Sequence, residues 1–173
     1  MIKTQLRQRL KKIRVNVDKR KQKNLQILER FFLLIAASCS QHKSVFIYES
    51  FGSEADTKDI IERLVIKGYR VFVPKVNADF SMRAVDKVTG EFAEFAPEIT
   101  VVPLLGFNQT LHRIGYGKGC YDKYFAQSPN TVKIGLSFNE QFCGFLPDSH
   151  DVPLDYCVTP MLIYAHACNC WQI

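Results

Sequence analysis

The hydrophobic positions of the chain change period near residue 44. Before it, apolar residues recur every three or four positions: Leu6, Leu10, Ile13 and Val17 form one stripe, and Leu25, Leu28, Phe31, Phe32 and Ile35 a second. These spacings predict two amphipathic helices, the second over about 18–37, with those residues packed inward. Beyond residue 44 short apolar runs alternate with helical patterns. Val45–Tyr48, Val71–Val73, Thr100–Leu105, Val132–Phe138 and Asp155–Thr159 read as buried strands, and 57–67 as a helix burying Ile60, Ile61, Leu64 and Val65. Asp56 or Thr57 would cap that helix and Gly68 would end it. A Gly-rich turn and a further helix separate the Thr100–Leu105 and Val132–Phe138 strands.

Strands alternating with helices predict an α/β domain: three layers, with a mostly parallel sheet flanked by helices, Rossmann-like. Such sheets bind ligands at the carboxyl ends of their strands, which directs the search to the loops after Tyr48, Val73, Leu105 and Phe138. The length of 173 residues suits one domain over 1–173, with a helical segment of about 1–38 packed on it.

Charge changes that picture at the N-terminus. Residues 1–30 hold eleven Lys or Arg against Asp18 and Glu29, a net charge of +9, which leaves −3 for the remainder. Lys3, Arg7, Lys11 and Arg14 form a basic stripe at helical spacing, so Lys3 and Arg7 can close on one polyphosphate; the alternative is a solvated helix face. The longest apolar run, Phe31–Ala37, is far shorter than the roughly 20 residues of a membrane span. The six cysteines form no CxxC pair and the charged N-terminus lacks a signal-peptide pattern, so the expectation is a reducing cytoplasm. Cys168 and Cys170 with His166 lack the spacing of a structural zinc site.

The stretch Arg113-Ile-Gly-Tyr-Gly-Lys-Gly-Cys-Tyr-Asp-Lys-Tyr124 carries the candidate chemistry. Glycines let backbone N–H groups approach a ligand closely, and a following helix N-terminus adds partial positive charge, so the element suits phosphate. Arg113 and Lys118 add full charges. The pattern is neither a Walker A loop nor a GxGxxG dinucleotide fingerprint, and glycines can also stand in such a turn for their backbone angles alone. Asp122, three residues past Gly119, completes the composition expected for a magnesium nucleotide, where the metal takes one or two protein carboxylates.

In this register the stretch resembles the signature of the 5-formyltetrahydrofolate cyclo-ligases, or 5,10-methenyltetrahydrofolate synthetases. Five further motifs are similar to that family in order along the chain: Lys3-Thr-Gln-Leu-Arg7, Glu54-Ala-Asp-Thr57, Val73-Pro-Lys75, Val102-Pro-Leu-Leu-Gly-Phe107 and Asp151-Val-Pro-Leu-Asp155. The resemblance implies a fold of the NagB/RpiA/CoA transferase type and ATP-dependent, Mg2+-dependent cyclisation of 5-formyltetrahydrofolate with release of ADP and phosphate. It implies ATP contacts from Lys3, Arg7 and the run Arg113, Ile114, Gly115, Tyr116, Gly117, Lys118, Gly119, Cys120 and Tyr121. Substrate contacts fall on Glu49, Glu54, Tyr116, Lys118 and Cys120, catalytic roles on Arg113, Lys118 and Asp122, and the metal on Asp122 and Asp155. The implied partners are ATP and a reduced folate, bound by a monomer without membrane or nucleic acid. A binding module for nucleic acid or another anionic partner, built on the basic N-terminal segment, is the alternative.

The chain departs from the family pattern at several points. Cys120 replaces an aromatic residue, Asn108 and Leu111 stand where Asp and Gly are common, and Glu49 occupies a usually apolar position. The stretch between Met82 and Glu98 is shorter than in relatives, where an insert helps cover the folate.

Overall fold

A strand buried on both faces needs a continuous apolar run, and Val45, Phe46 and Ile47 supply one at the centre of the sheet. The computed structural model describes residues 3–149 and 151–166, so Cys168 and Cys170 lie outside the described residues. In chain order the elements are α1 (Lys3–Val15), α2 (Arg20–Ser38), β1 (Ser44–Ile47), α3 (Lys58–Ile66), β2 (Arg70–Val76), β3 (Met82–Asp86), β4 (Ile99–Pro103), β5 (Gly106–Phe107), β6 (Arg113–Ile114), α4 (Cys120–Gln127), β7 (Val132–Leu136), β8 (Tyr156–Val158) and β9 (Ile163–Ala165).

Seven strands form one sheet in the order β3-β2-β1-β4-β7-β8-β9. The central five are parallel and the two edge strands, β3 and β9, run antiparallel to their neighbours. From β1 the chain winds first towards β2 and later back to β4, so the order reverses beside β1. A crevice opens at the carboxyl ends of strands at such a point. β5 and β6 make a separate two-stranded hairpin.

Two apolar clusters cover the two faces of the sheet. On one, Ile27, Phe31 and Ile35 of α2 and Ile60 and Leu64 of α3 pack on Val45, Ile47, Val101 and Ile134. On the other, Tyr124 and Phe125 of α4, with Phe107 and Leu154, pack on Phe46, Phe72 and Val102. Phe31 is fully buried, and its truncation to Ala removes about 3–5 kcal/mol. α1 is attached separately, through Leu6 and Leu10 against Leu105 and Ile114. The close seat of Leu10 requires a glycine opposite: a Cβ on Gly106 would lie 2.8 Å from Leu10 Cδ1.

The parallel α/β architecture follows the sequence reading, with local differences. Leu25 is exposed at the edge of the buried face of α2, which runs through Ile27, Leu28, Phe31, Phe32, Leu34 and Ile35. Val17 is buried but follows the end of α1. Val65 is exposed at the edge of the α3 stripe. Thr57 precedes α3, yet its hydroxyl donates to the Tyr48 carbonyl at 2.8 Å, and the carboxylate of Asp56 accepts from Lys58 N instead. Gly68 ends the helix with φ +79°. The strand after Ile99 stops at Pro103, because Leu104 and Leu105 turn into the β5–β6 hairpin. Among the described residues no helix is long and apolar enough to cross a membrane.

Candidate active site

Leu105 N donates to the Ile114 carbonyl at 2.7 Å, which fixes the start of the Gly-rich loop beside β4. The loop then turns into α4 through two left-handed residues, Gly117 (φ +93°) and Gly119 (φ +68°), the latter at the helix N-cap. An L side chain rarely adopts such a backbone, so these two glycines are required by the turn itself. Gly115 has no such constraint, and open space surrounds the position of its missing Cβ.

The loop lines a cavity of about 390 Å³. Lys3 and Arg7 of α1 close one side of it, Pro74, Val76 and Met82 another, Pro103 lies at its strand end, and Asp122 and Asp151 complete the wall. Every implied ATP contact, Lys3, Arg7 and residues 113–121, lines this one space. Lys3, Arg7 and Arg14 of the basic stripe turn towards the loop, while Lys11 stays exposed over the Tyr116 ring. Arg7 Nε donates to the Gly115 carbonyl at 3.0 Å. Lys3 donates to Asp151 at 2.8 Å and pairs with Asp148. Partial burial opposes the Lys3 charge, but the two aspartates outweigh it and hold its pKa above the ordinary lysine value.

Arg113 is almost buried, donating to Asp122 Oδ1 at 2.7 Å and to the Val152 carbonyl at 3.0 Å. It orders the first turn of α4 from below, and its guanidinium carbon lies 5.1 Å from the centre of the Phe125 ring. Lys118 is exposed, with its ammonium 4.7 Å from the centre of the Phe80 ring. Lys123 donates to the Asp79 carbonyl at 2.7 Å. The tip of the β2–β3 hairpin thus meets the Gly-rich loop at Phe80 and α4 at Asp79. Cys120 and Tyr121 are partly buried at the mouth of α4, and burial pushes the Tyr121 phenol far above its usual pKa.

Three residues of the sequence reading lie elsewhere. Asp155 does not face Asp122: its carboxylate accepts from Lys133 N at 2.7 Å, at the amino end of β7, and lines a different cavity with Cys39 and Thr131. Asp151, the other aspartate of that motif, is the one beside Asp122. Glu49 is exposed, pairs with Lys87 at 2.5 Å and lines a neighbouring cavity. Glu54 lines that neighbouring cavity too, but it meets the first one through Tyr116, whose hydroxyl donates to Glu54 Oε1 at 3.3 Å.

Sequence reasoning gave Arg14 no role beyond its stripe. It is 3% exposed and joins Ser53, Leu104 and Tyr116. The signal was present, because Arg14 shares a helical face with Leu10 and Val17, and a charge on an apolar face needs a built partner.

The family model described as the 5-formyltetrahydrofolate cyclo-ligase family matches residues 1–89 and 85–160. The chain belongs to this family. A cyclo-ligase of Mycoplasma pneumoniae is 36% identical over 115 residues, covering 65% of this chain and 70% of that protein. One of Haemophilus influenzae is 25% identical over 87% of this chain and 93% of its own. Among solved structures, a 5,10-methenyltetrahydrofolate synthetase from Mycoplasma pneumoniae superposes with TM-score 0.83 at 28% identity, covering 92% of this chain and 99% of that one. The Aquifex aeolicus synthetase, at 20% identity, TM-score 0.77 and coverage of 100% and 96%, shares the fold. The two stretches matched by the cyclo-ligase family overlap at residues 85–89. Among the described residues no group of three or more His, Cys, Asp or Glu is assembled for a metal ion. The carboxylates that line the cavity are those of Asp122 and Asp151.

Proposed function

We propose that this cavity binds ATP on the Gly-rich loop and closes 5-formyltetrahydrofolate to 5,10-methenyltetrahydrofolate, releasing ADP and phosphate. The observation that carries the reading is the convergence of Lys3, Arg7, the left-handed glycine turn and Asp122 on one space at the carboxyl ends of the strands. A formyl oxygen is a poor leaving group. Its attack on the γ-phosphorus forms an O–P bond and breaks the bond to ADP; N10 then attacks the formyl carbon, the C–O bond breaks to release phosphate, and the N10 proton is lost to solvent. The protein's part is to position the reactants and neutralise their charge.

In this reading the N–H groups of the loop and the α4 N-terminus hold the phosphates, while Arg7 and Lys118 neutralise them. For Lys118 that means exchanging the Phe80 ring for phosphate. Arg113 acts from behind, holding Asp122 in place. Asp122 and Asp151 are the carboxylates placed to hold Mg2+, which would offset charge at the transferring phosphoryl group. Pro74, Val76, Met82 and Tyr116 offer the apolar wall a reduced pterin needs, with Glu54 behind Tyr116 as acceptor for its N–H groups. Three of the eleven basic residues of the N-terminal segment, Lys3, Arg7 and Arg14, are turned towards this site and away from a nucleic-acid surface.

The test is the absorbance of the methenyl product in a mixture of protein, magnesium, ATP and 5-formyltetrahydrofolate. An increase that needs ATP is expected. Folded protein that binds ATP yet gives no increase would reject the reaction.

A further inference from the structure

Arg14 is the most completely engaged charged side chain around the cavity. Its Nε donates to Ser53 Oγ at 3.1 Å, Nη1 to the Leu104 carbonyl at 3.0 Å, and Nη2 to the Tyr116 hydroxyl. Glu54 Oε1 lies 4.0 Å from Nη1, and the guanidinium carbon is 5.3 Å from the centre of the Tyr116 ring. Tyr116 passes the chain on, since the same hydroxyl donates to Glu54 Oε1. The second oxygen of Glu54 accepts from Phe51 N at 2.9 Å. From the other side Arg20 donates to the Ser53 carbonyl at 2.8 Å and to the Arg14 carbonyl.

One buried guanidinium thus ties four segments: α1, the loop after β1, the end of β4 and the Gly-rich loop. A planar fork with five donors can meet three acceptors in fixed directions, which a lysine cannot. We propose that Arg14 is a positioning residue that locks Tyr116 and Glu54 into one arrangement, so that α1 sets the folate side of the cavity as well as its phosphate side. This inference rests on the reading of the site as a cyclo-ligase centre. The phosphate side has its own supports, Arg7 on Gly115 and Arg113 on Asp122, and neither passes through Arg14.

The experiment compares Arg14→Met and the milder Arg14→Lys with wild type in the full chain. A displacement of about an ångström in a binding wall costs up to a hundredfold, so Arg14→Met should raise KM for 5-formyltetrahydrofolate at least tenfold. The dissociation constant for magnesium ATP should stay within about threefold, and Arg14→Lys should show the same split with a smaller loss. In a Tyr116→Phe background Arg14→Met should cost less than it does alone, because residues sharing one network are not additive. Amide hydrogen exchange reads the same lock without turnover: it should accelerate in residues 51–57 and at Tyr116, and not in the phosphate-side glycines, β1 or β4. Uniform acceleration, equal weakening of nucleotide and folate, or full additivity with Tyr116→Phe would each overturn the proposal. If wild type forms no methenyl product, the functional reading fails, and the exchange pattern decides the role of Arg14.

Discussion

Asp151 and Asp155 are four residues apart and face two different cavities. The Asp151 carboxylate accepts from Lys3 and from Asp148 N, each at 2.8 Å, beside the Gly-rich loop. The Asp155 carboxylate accepts from Lys133 N at the first turn-in of β7. Asp151→Asn should lower ATP-dependent turnover by about a hundredfold or more, the usual cost of losing a charge aimed at a reacting centre. Asp155→Ala should leave turnover in place and lower stability by about 1 kcal/mol, read as a melting temperature lower by about 2–4 °C. The reverse pattern would return the metal to Asp155.

Gly117 gives a second test. A Cβ there would sit 3.1 Å from Arg7 Cζ, on a backbone that side chains avoid. Gly117→Ala should weaken magnesium ATP binding roughly tenfold, equivalent to about 1.4 kcal/mol. Gly115→Ala meets no neighbour within 4 Å and should cost less. Equilibrium titration of nucleotide measures both.

Arg7 bonds the loop and faces the cavity, so Arg7→Met removes a charge from the phosphates and a brace from Gly115. The dissociation constant for ATP should rise about tenfold at low ionic strength. The difference from wild type should shrink in high salt, because this side chain is only partly buried and its charge is screened. A salt-independent difference would mean that Arg7 acts through the loop alone.

Glu98 predicts a pH dependence. Desolvation raises its pKa, but hydrogen bonds from Lys43 N, Ser44 N and Ser44 Oγ, with the nearby His42, outweigh it and hold the carboxyl below its ordinary value. A group lowered in the folded state stabilises the protein above its unfolded pKa, near 4.3, and loses that contribution as pH falls through the folded value. Glu98→Gln should therefore lower the melting temperature at pH 7, and the gap to wild type should narrow as the pH falls below about 4.3. Thermal melts across that range decide it.

The parallel sheet was legible because its strands carry short apolar cores between turn residues, continuous in Val45–Ile47 and interrupted by Lys133 and Gly135 in Val132–Leu136. The edges were not. β3 alternates buried Met82, Ala84 and Asp86 with exposed Arg83, and β9 is three half-buried residues; neither has the continuous apolar signal of a central strand. The Gly-rich loop could be read from residue type, since left-handed turns and phosphate binding both ask for glycine. Which face α1 turns inward could not, because a basic stripe looks the same whether water or a loop lies against it. Asp155 and Glu49 were assigned through resemblance, and their placement depends on which way the chain crosses β7 and leaves β1.

Gly135 lies buried in β7, where a Cβ would meet Leu154 Cδ1 at 2.7 Å and Leu104 Cδ2 at 2.8 Å. Leu154 anchors the segment that carries Asp151 and the Val152 carbonyl held by Arg113. A methyl group at 135 has no room unless Leu154 or Leu104 gives way, and a shift at Leu154 would carry to the carboxylate three residues away. In a library of variants selected for turnover, position 135 would behave like part of the cavity wall, although it has no side-chain atom to offer the reaction.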